Sequence, residues 1–304
     1  MLTVASSHLA MFSGAVLALR RGVVRDLRGL PETLARVGSF ELKFAVTKKE
    51  IRAIQRMRYR VFFEEGGAMA TPLARAQRRD KCPFDRVCDH VIVVDHGAAS
   101  PARKSRIVGA YRLLRQDAVA QSNRFYSAGE FDIVGLIQRH PDKKFMELGR
   151  SCVLPEYRAR RVLELLWRGV LAYVRHHGVD VMFGCASMPG VDPRAHAQTL
   201  GFLRTHASAD EQWRTSVVAR NGARQQEGER LGSTPGDATS DRRTLTKLPP
   251  LIKGYLRLGA SFGDDVFVDR AFGTTDVFVV LPVARIQARY IEHFGSGTVD
   301  LAAA

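Results

Sequence analysis

The sequence has few cysteines and lacks the common nucleotide-binding signatures. Its 304 residues contain four cysteines: Cys82, Cys88, Cys152 and Cys185. None of them forms a Cys-x-x-Cys pair, and no Cys/His spacing fits a zinc site. There is neither a Walker loop nor a Rossmann glycine fingerprint. We therefore expect reduced, mostly buried thiols and no metal site.

Acidic residues are scarce relative to basic ones, with 31 Asp and Glu against 46 Lys and Arg and a formal charge of +15. This surplus indicates anionic partners, such as nucleic acid, an anionic membrane surface or an acidic protein. Aromatic residues make up only 8 % of the chain. They do not alternate with basic residues as in single-strand nucleic-acid-binding folds, so we expect no nucleic-acid partner.

Long apolar runs are also missing. The N-terminal stretch is interrupted by His8 and Ser13, and its basic residues follow the apolar part, whereas a secretory signal carries them in front. A basic, amphipathic helix on an anionic membrane and an unstructured extension both fit residues 1–37. We expect a cytoplasmic protein, and peripheral attachment to the inner face of the cytoplasmic membrane stays open.

Apolar residues nevertheless make up 45 % of the chain, which is enough for a sizeable core. Apolar runs and alternation predict strands at 39–47, 90–95, 105–115, 144–154, 179–187 and 275–281. Helical spacing predicts helices at 48–67, 156–178, 192–202 and 250–259. Residues 68–88 are expected to form a loop, and a last helix is expected from about residue 283.

These elements predict an α+β fold with one mixed sheet flanked by helices. Composition divides the chain into an N-terminal extension (1–37), a core (38–206), a flexible insertion rich in Gly, Arg, Gln and Ser (207–245), and a C-terminal part that completes the same domain (246–304).

Arginines are concentrated where a predicted strand meets a predicted helix. Arg158, Arg160 and Arg161 follow the strand at 144–154. The first N–H groups of a helix have no intrahelical partner, and together with the helix dipole they attract anions. Arginines there add charge and donors. We interpret this joint as a phosphate site, and the alternative is a solvated helix face.

Glu147 and Arg150 lie three residues apart on the strand that precedes this joint. Their side chains point to opposite faces unless a bulge intervenes. A glutamate beside an amine substrate can act as a general base, and a structural ion pair is the alternative.

Several blocks of the sequence, in order, resemble the L-ornithine N-alpha-acyltransferases of the GNAT superfamily. They are "RYRVFFEE", "CDHVIVVD", "IVGAYRLLR", "MELGRSCVLPEYR", "LLWRGVLAYVRHHGVDVMFGCAS" and "LPPLIKGYLRLGA" with "DRAFGTTDVFVVLP". The similarity runs from about residue 38 to 293, apart from the insertion. It implies a GNAT fold in which two neighbouring strands splay to form the acyl-donor cleft. The segment "YRARRV" lacks the usual glycines, which suggests a phosphopantetheine on a carrier protein as donor rather than acetyl-CoA.

The resemblance implies transfer of a 3-hydroxyacyl group from acyl carrier protein to the α-amine of L-ornithine. The product is lyso-ornithine lipid, made in the first step of ornithine lipid synthesis. No separate cofactor is implied, since the donor carries 4'-phosphopantetheine. Acylation of another amino acid or amine is an alternative function, and a non-enzymatic basic module is a further one.

A more distant resemblance to acyl-homoserine-lactone synthases implies the site residues. Arg58, Phe62 and Asp89 match substrate-cleft positions, although helical periodicity alone places Arg58 on a solvated face. Glu147 and Arg150 are implied as catalytic residues. The tryptophan that those synthases carry after the phenylalanine is replaced here by Gly66-Gly67-Ala68.

The GNAT resemblance also implies the residues that contact the donor. The donor phosphopantetheine is assigned to Cys152, Val153, Arg158, Arg160 and Arg161. Backbone N–H groups near Cys152 and Val153 are expected to stabilise the thioester oxyanion. Direct transfer is expected, rather than a covalent route through Cys152 or Cys185.

Overall fold

The structure is a computed structural model that describes residues 27–97, 105–122, 124–158, 160–218, 238–288 and 290. Within these ranges, eight strands form one sheet: β1 Thr33–Val37, β2 Phe40–Phe44, β3 Asp89–Asp95, β4 Arg106–Arg115, β5 Phe145–Val153, β6 Val181–Pro189, β7 Ser261–Asp269 and β8 Thr274–Pro282. The described α-helices are α1 Lys48–Tyr59, α2 Pro72–Gln77, α3 Ile133–Gln138, α4 Arg160–His177, α5 Ala197–Ala207, α6 Ala238–Lys247 and α7 Pro250–Leu258.

The strands lie in the order β1-β2-β3-β4-β5-β6-β8-β7. Of the pairings between described strands, that of β5 with β6 is parallel and the others are antiparallel. The predicted mixed sheet flanked by helices is therefore confirmed. A parallel pair needs a long crossover connection, and α4 provides it.

Helix α4 packs closely on the sheet because its apolar residues form one stripe. Val162, Leu166 and Val170 are at most 1 % exposed. Gly169 lets the helix approach β3, since a Cβ atom there would come within 2.2 Å of Val91 Cγ2. The predicted helix and its stripe are confirmed, and Gly178, with a φ of +59°, ends it.

Two separate apolar clusters fill the interior. Residues of α4 and α7 pack into the larger cluster, and aromatic residues from several strands and turns dominate the smaller one. Strand β5 alternates between them: Phe145 belongs to the smaller cluster, whereas Met146 and Leu148 belong to the larger one. Glu147 therefore points in the same direction as Phe145.

Three local predictions were wrong. Residues 68–88 were expected to be loop, yet Thr71 accepts a hydrogen bond from Ala74 N (3.1 Å) and caps helix α2. Strand β7 was missed because its sequence, SFGDDVFVD, contains glycine and aspartates that disfavour strands. The helix expected to end near residue 202 continues to Ala207, and its first turn is a 3₁₀ turn capped by Asp192.

The predicted chain divisions are described only in part. Residues 1–26 of the proposed amphipathic N-terminal extension (1–37) lie outside the described residues, but β1 belongs to that extension and is an edge strand of the same sheet. In the proposed insertion, Trp213 is 7 % exposed and stacks on His140 at 4.0 Å between ring centroids. Residues 219–237 lie outside the described part. No described helix combines the length and the apolar character needed to span a bilayer.

Candidate active site

Strands β5 and β6 are paired only over their first halves. The pairing ends at Leu148 and Gly184; beyond that point β5 stays on β4, and β6 stays on β8. At Gly184 a Cβ atom would come within 2.4 Å of the Leu148 carbonyl oxygen, so the last paired position needs glycine. The strands then splay apart, as predicted.

A cavity of about 270 Å³ lies at this gap. Gly149, Arg150 and Ser151 line it from β5, and Ser187 and Pro189 line it from β6. Its other lining residues include aromatic and acidic side chains: Phe62, Tyr126, Phe272, Glu147, Asp269 and Asp276. The cavity therefore combines apolar walls with negative charge, and it has the size for a small molecule.

Glu147 lines the cavity and is 2 % exposed. Its carboxylate accepts hydrogen bonds from Tyr126 N (2.8 Å), Ser127 N (2.7 Å) and the Ser127 hydroxyl. A carboxylate has about four lone-pair sites, so these three donors fix its orientation and leave about one site free. The structure thus places Glu147 where it was expected, and its role as a base stays a prediction.

Arg150 reaches the same cavity because β5 bulges. The β4–β5 register pairs Ala110 with Cys152 but Arg112 with Gly149, so β5 contains one extra residue. Arg150 takes a φ of +50° there, a conformation that is unfavourable for a residue with a side chain. Its guanidinium carbon lies 4.1 Å from the centroid of the Phe272 ring, and this cation–π contact favours the arrangement.

Arg58, predicted to bind substrate, lies in a buried ion-pair network instead. It is fully buried, and its guanidinium donates two hydrogen bonds of 2.8 Å to Asp85. Its Nε lies 2.9 Å from Asp80 Oδ2. The same Asp80 oxygen lies 3.6 Å from Arg150 Nε. We call Arg58, Asp80 and Asp85 the paired network; through Asp80 it contacts a residue that lines the cavity.

The two other predicted substrate residues are separated in the structure. Phe62 belongs to a π-helical turn, Arg60–Glu65, and lines the cavity with its ring edge-to-face to Phe272 at 6.1 Å. Asp89 lies outside the cavity, at the first residue of β3, where it accepts hydrogen bonds from the Tyr173 hydroxyl and from Arg115 (3.3 Å). The structure therefore brings together Phe62, Glu147 and Arg150, but not Asp89.

The predicted donor residues lie around the start of α4. Arg158 is exposed, pairs with Glu65 (2.7 Å) and donates to the Val153 carbonyl (3.3 Å). Arg161 is exposed, and the side chain of Arg160 lies outside the described residues. Leu154 N donates to Val108 O (2.9 Å). Because alternate residues of a strand direct their N–H groups to opposite edges, Val153 N–H points to the gap and Cys152 N–H to β4.

Three acidic residues that sequence reasoning did not select complete the site. Glu130, Asp269 and Asp276, which we call the acidic cluster, each have a carboxylate oxygen within 4.8 Å of the others. Such a group can hold a divalent cation or an ammonium group. Burial raises the pKa of Glu130 to about 8, and the charge of Asp276 adds to this effect. Burial also raises the pKa of Asp276 to about 6.

The candidate nucleophiles have no activated form. Burial raises the pKa of Cys152 to about 12 and that of Cys185 well above its ordinary value, so both thiols are protonated at neutral pH. Ser261 lies in a Gly-x-Ser-x-Gly sequence, residues 259–263, but this segment leads from helix α7 into β7. A nucleophile elbow leads from a strand into a helix.

Comparison with known proteins places this geometry in a family. The model of an acetyltransferase (GNAT) domain matches residues 57–168. The chain is 46 % identical over 289 residues to an L-ornithine N(alpha)-acyltransferase of Agrobacterium fabrum, and the match covers 95 % of each protein. It is 47 % identical over 265 residues to the protein of that name from Rhizobium meliloti, with 87 % of each covered.

Solved structures are similar at lower identity. The N-acyl amino acid synthase FeeM from uncultured soil microbes has a TM-score of 0.45 at 10 % identity, with 86 % of this chain and 95 % of that chain covered. The CoA-dependent acyl-homoserine lactone synthase MesI has a TM-score of 0.42 at 12 % identity, with 84 % and 93 % covered.

Proposed function

The chain belongs to the L-ornithine N(alpha)-acyltransferase family and is an acyltransferase, and we propose that it transfers a 3-hydroxyacyl group from acyl carrier protein to the α-amine of L-ornithine. The product is lyso-ornithine lipid. The observation that carries this proposal is the cavity between the splayed strands β5 and β6, because it joins an open strand edge to a small acidic pocket.

The open strand edge suits the donor. Backbone groups left unpaired by the splay need partners, and the pantetheine arm of the donor contains amides that can pair with them as an added strand does. The net charge of +15 favours association with an acidic carrier protein. The donor's own 4'-phosphopantetheine is then the only prosthetic group that the reaction needs.

The transfer is a direct one. The neutral α-amine attacks the thioester carbonyl carbon, and the oxyanion accepts a hydrogen bond from a backbone N–H that β5 directs into the gap. Collapse of this intermediate breaks the C–S bond, forms the amide and releases the carrier-protein thiolate, which takes up a proton. Glu147, directly or through a water molecule, accepts the proton that the amine loses. The protonated thiols of Cys152 and Cys185 support direct transfer.

The same charge surplus supports a location at the inner face of the cytoplasmic membrane, where anionic lipid attracts basic surfaces. The lipid product would be released there.

The reaction is tested in a bacterium that has no ornithine lipids. Expression of the protein should produce a ninhydrin-positive lipid with the mass of ornithine plus one 3-hydroxy fatty acid less one water. Glu147→Gln should lower its amount about 100-fold, since general bases contribute about 10²–10⁴-fold. The control is Glu211→Gln, at an exposed residue outside the cavity.

Each outcome bears on one part of the proposal. Folded wild-type protein that yields no such lipid would contradict the ornithine acceptor, and a panel of amines with acyl carrier protein thioesters would follow. If wild type and Glu147→Gln produce equal amounts of the lipid, the proposed reaction stands, but Glu147 is not its base.

A further inference from the structure

The acidic cluster forms part of the cavity wall. Asp269 and Asp276 line the cavity, and Glu130 stands next to them with its carboxylate within 4.8 Å of theirs. Glu130 and Asp276 are 5 % and 4 % exposed, so water would screen a charge on either of them poorly. Cys185, which also lines the cavity, donates a hydrogen bond to Glu130 (3.0 Å). This leaves the two aspartates to face the cavity.

One oxygen of the cluster lacks a partner. Asp276 Oδ1 is buried and has no partner with hydrogen-bond geometry among the described residues. The hydroxyls of Ser187 and Thr274 lie close enough to lower the pKa of this carboxyl, yet burial outweighs them. A buried carboxylate oxygen without a donor is costly. A ligand that brings positive charge and N–H donors would remove this cost.

Arg150, the arginine that lines the same cavity next to the cluster, makes its close contacts with other groups. The Arg150 guanidinium lies over the Phe272 ring, with its carbon 4.1 Å from the ring centroid, and its Nε is 3.6 Å from Asp80. Arg150 therefore does not fully neutralise the negative charge of the acidic cluster. A cationic ligand that enters the cavity would supply the missing counter-charge.

The proposed reaction supplies such a ligand. Ornithine has two amines with opposite requirements: the α-amine must be neutral to attack, whereas the δ-amine must remain unreacted. Resting on that proposed function, we propose that Asp276, with Asp269 and Glu130, binds the δ-ammonium group of the acceptor and so selects diamino acids over neutral amino acids. An ammonium group has three donors, and the two aspartates that line the cavity offer carboxylate oxygens to it, with Glu130 next to them. The rings of Phe62, Tyr126 and Phe272 cover the methylene chain.

Norvaline provides the decisive comparison, because it is ornithine without the δ-amine. Wild type should use ornithine with a much lower KM than norvaline. Asp276→Asn keeps the shape of the side chain and removes its charge. We expect it to raise the KM for ornithine about 10- to 100-fold, the effect of losing a hydrogen-bonded charge pair, and to change the KM for norvaline less than about threefold.

A binding measurement accompanies the kinetics. Ornithine should raise the Tm of wild type and leave the Tm of Asp276→Asn unchanged. Asp269→Asn, at a less buried member of the cluster, is a second variant in case the first is poorly folded. Asp142→Asn is the control, since Asp142 is exposed and pairs only with its neighbour Lys143 among the described side chains.

The outcomes separate this inference from the proposed function. A wild type that acylates no ornithine would contradict the proposed function itself. A wild type that acylates ornithine, with Asn variants that still prefer it over norvaline to the same degree, would overturn the δ-ammonium site alone. Loss of wild-type activity in EDTA, restored by Mg²⁺ or Mn²⁺ but not in Asp276→Asn, would also overturn it, because the cluster would then bind a metal.

Discussion

Two groups of buried charges flank Arg150, and they differ in electrical balance. In the paired network, Arg58 contacts both Asp80 and Asp85, and Arg150 adds a second cation near Asp80. In the acidic cluster, three carboxylates lie within 4.8 Å of one another, and Asp276 keeps an oxygen without a partner.

The difference separates a structural role from a binding role. Buried charges that lie against opposite charges hold one arrangement of the chain and need no ligand. Buried like charges that shift one another's pKa and face a cavity are typical of functional sites. By this comparison the paired network holds α1 against the cavity wall, whereas the acidic cluster has the features of a cation-binding site.

The largest effect is expected from breaking the paired network. Arg58→Met leaves Asp80 and Asp85 buried without their main cation, and loss of one partner of a buried ion pair costs about 3–5 kcal/mol. Burial opposes ionisation of Asp85, but His90 and Arg58 hold its pKa well below the ordinary value. Urea unfolding followed by circular dichroism measures the change.

Arg60→Met is the matched control for that experiment. Arg60 is two residues away and pairs with Glu156 at 3.1 Å, but its side chain is 42 % exposed. Exposed pairs contribute about 0–1 kcal/mol. Equal losses of stability in the two variants would contradict the distinction between a buried network and surface pairs.

Removal of a charge from the acidic cluster should stabilise the folded protein, whereas removal of a charge from the paired network should destabilise it. The folded-state pKa of Asp276 is about 6, above the ordinary 3.8, so its ionisation opposes folding. This penalty is absent below about pH 3.8 and complete above about pH 6. Asp276→Asn, without ligand, should therefore be more stable than wild type by about 1–3 kcal/mol at pH 8, and the difference should shrink at pH 5.

Urea titrations at the two pH values measure this difference. Glu130, Asp269, Arg150 and Cys185 also act on the cluster, so each variant is compared only with wild type at the same pH. An Asp276→Asn protein that is less stable than wild type at pH 8 would show that the carboxylate is structural, like those of the paired network.

The parts of this site that sequence could predict are local ones. Strand β5, helix α4 and strand β6 follow from apolar spacing and from Gly178, because each signal lies within the element itself. Glu147 and Arg150 share one strand, and only the bulge that brings both to the cavity was not predictable, since it depends on the register with β4.

The acidic cluster depends on distant pairing and was missed for that reason. Asp276 faces the site because β8 pairs with β6 and β7, and Glu130 comes from a turn far earlier in the chain. One signal was available: Asp276 is the only charged residue in its strand, TTDVFVVLP, and an apolar run follows it. Arg58 was misjudged for the same reason, because its partners come from residues 80 and 85.

The smallest effect is expected from the arginines before and within the first turn of α4, of which Arg158 and Arg161 are exposed. Changing Arg158, Arg160 and Arg161 together to Gln should raise the KM for acyl carrier protein about three- to tenfold, as expected for solvent-screened contacts to a donor phosphate. The KM for ornithine should change less than twofold, because the acidic cluster is untouched. Steady-state kinetics with each substrate varied in turn measures both values.

The control removes the same charge from exposed arginines elsewhere, namely Arg175, Arg194 and Arg257. If both triple variants raise the donor KM equally, the effect is steering by net charge, and no phosphate site exists at the joint. If the donor KM is unchanged in the first variant, the pairing of Arg158 with Glu65 is only a surface ion pair. A donor-specific increase confined to the first variant would add a third kind of charge to the comparison, one that binds an anionic partner.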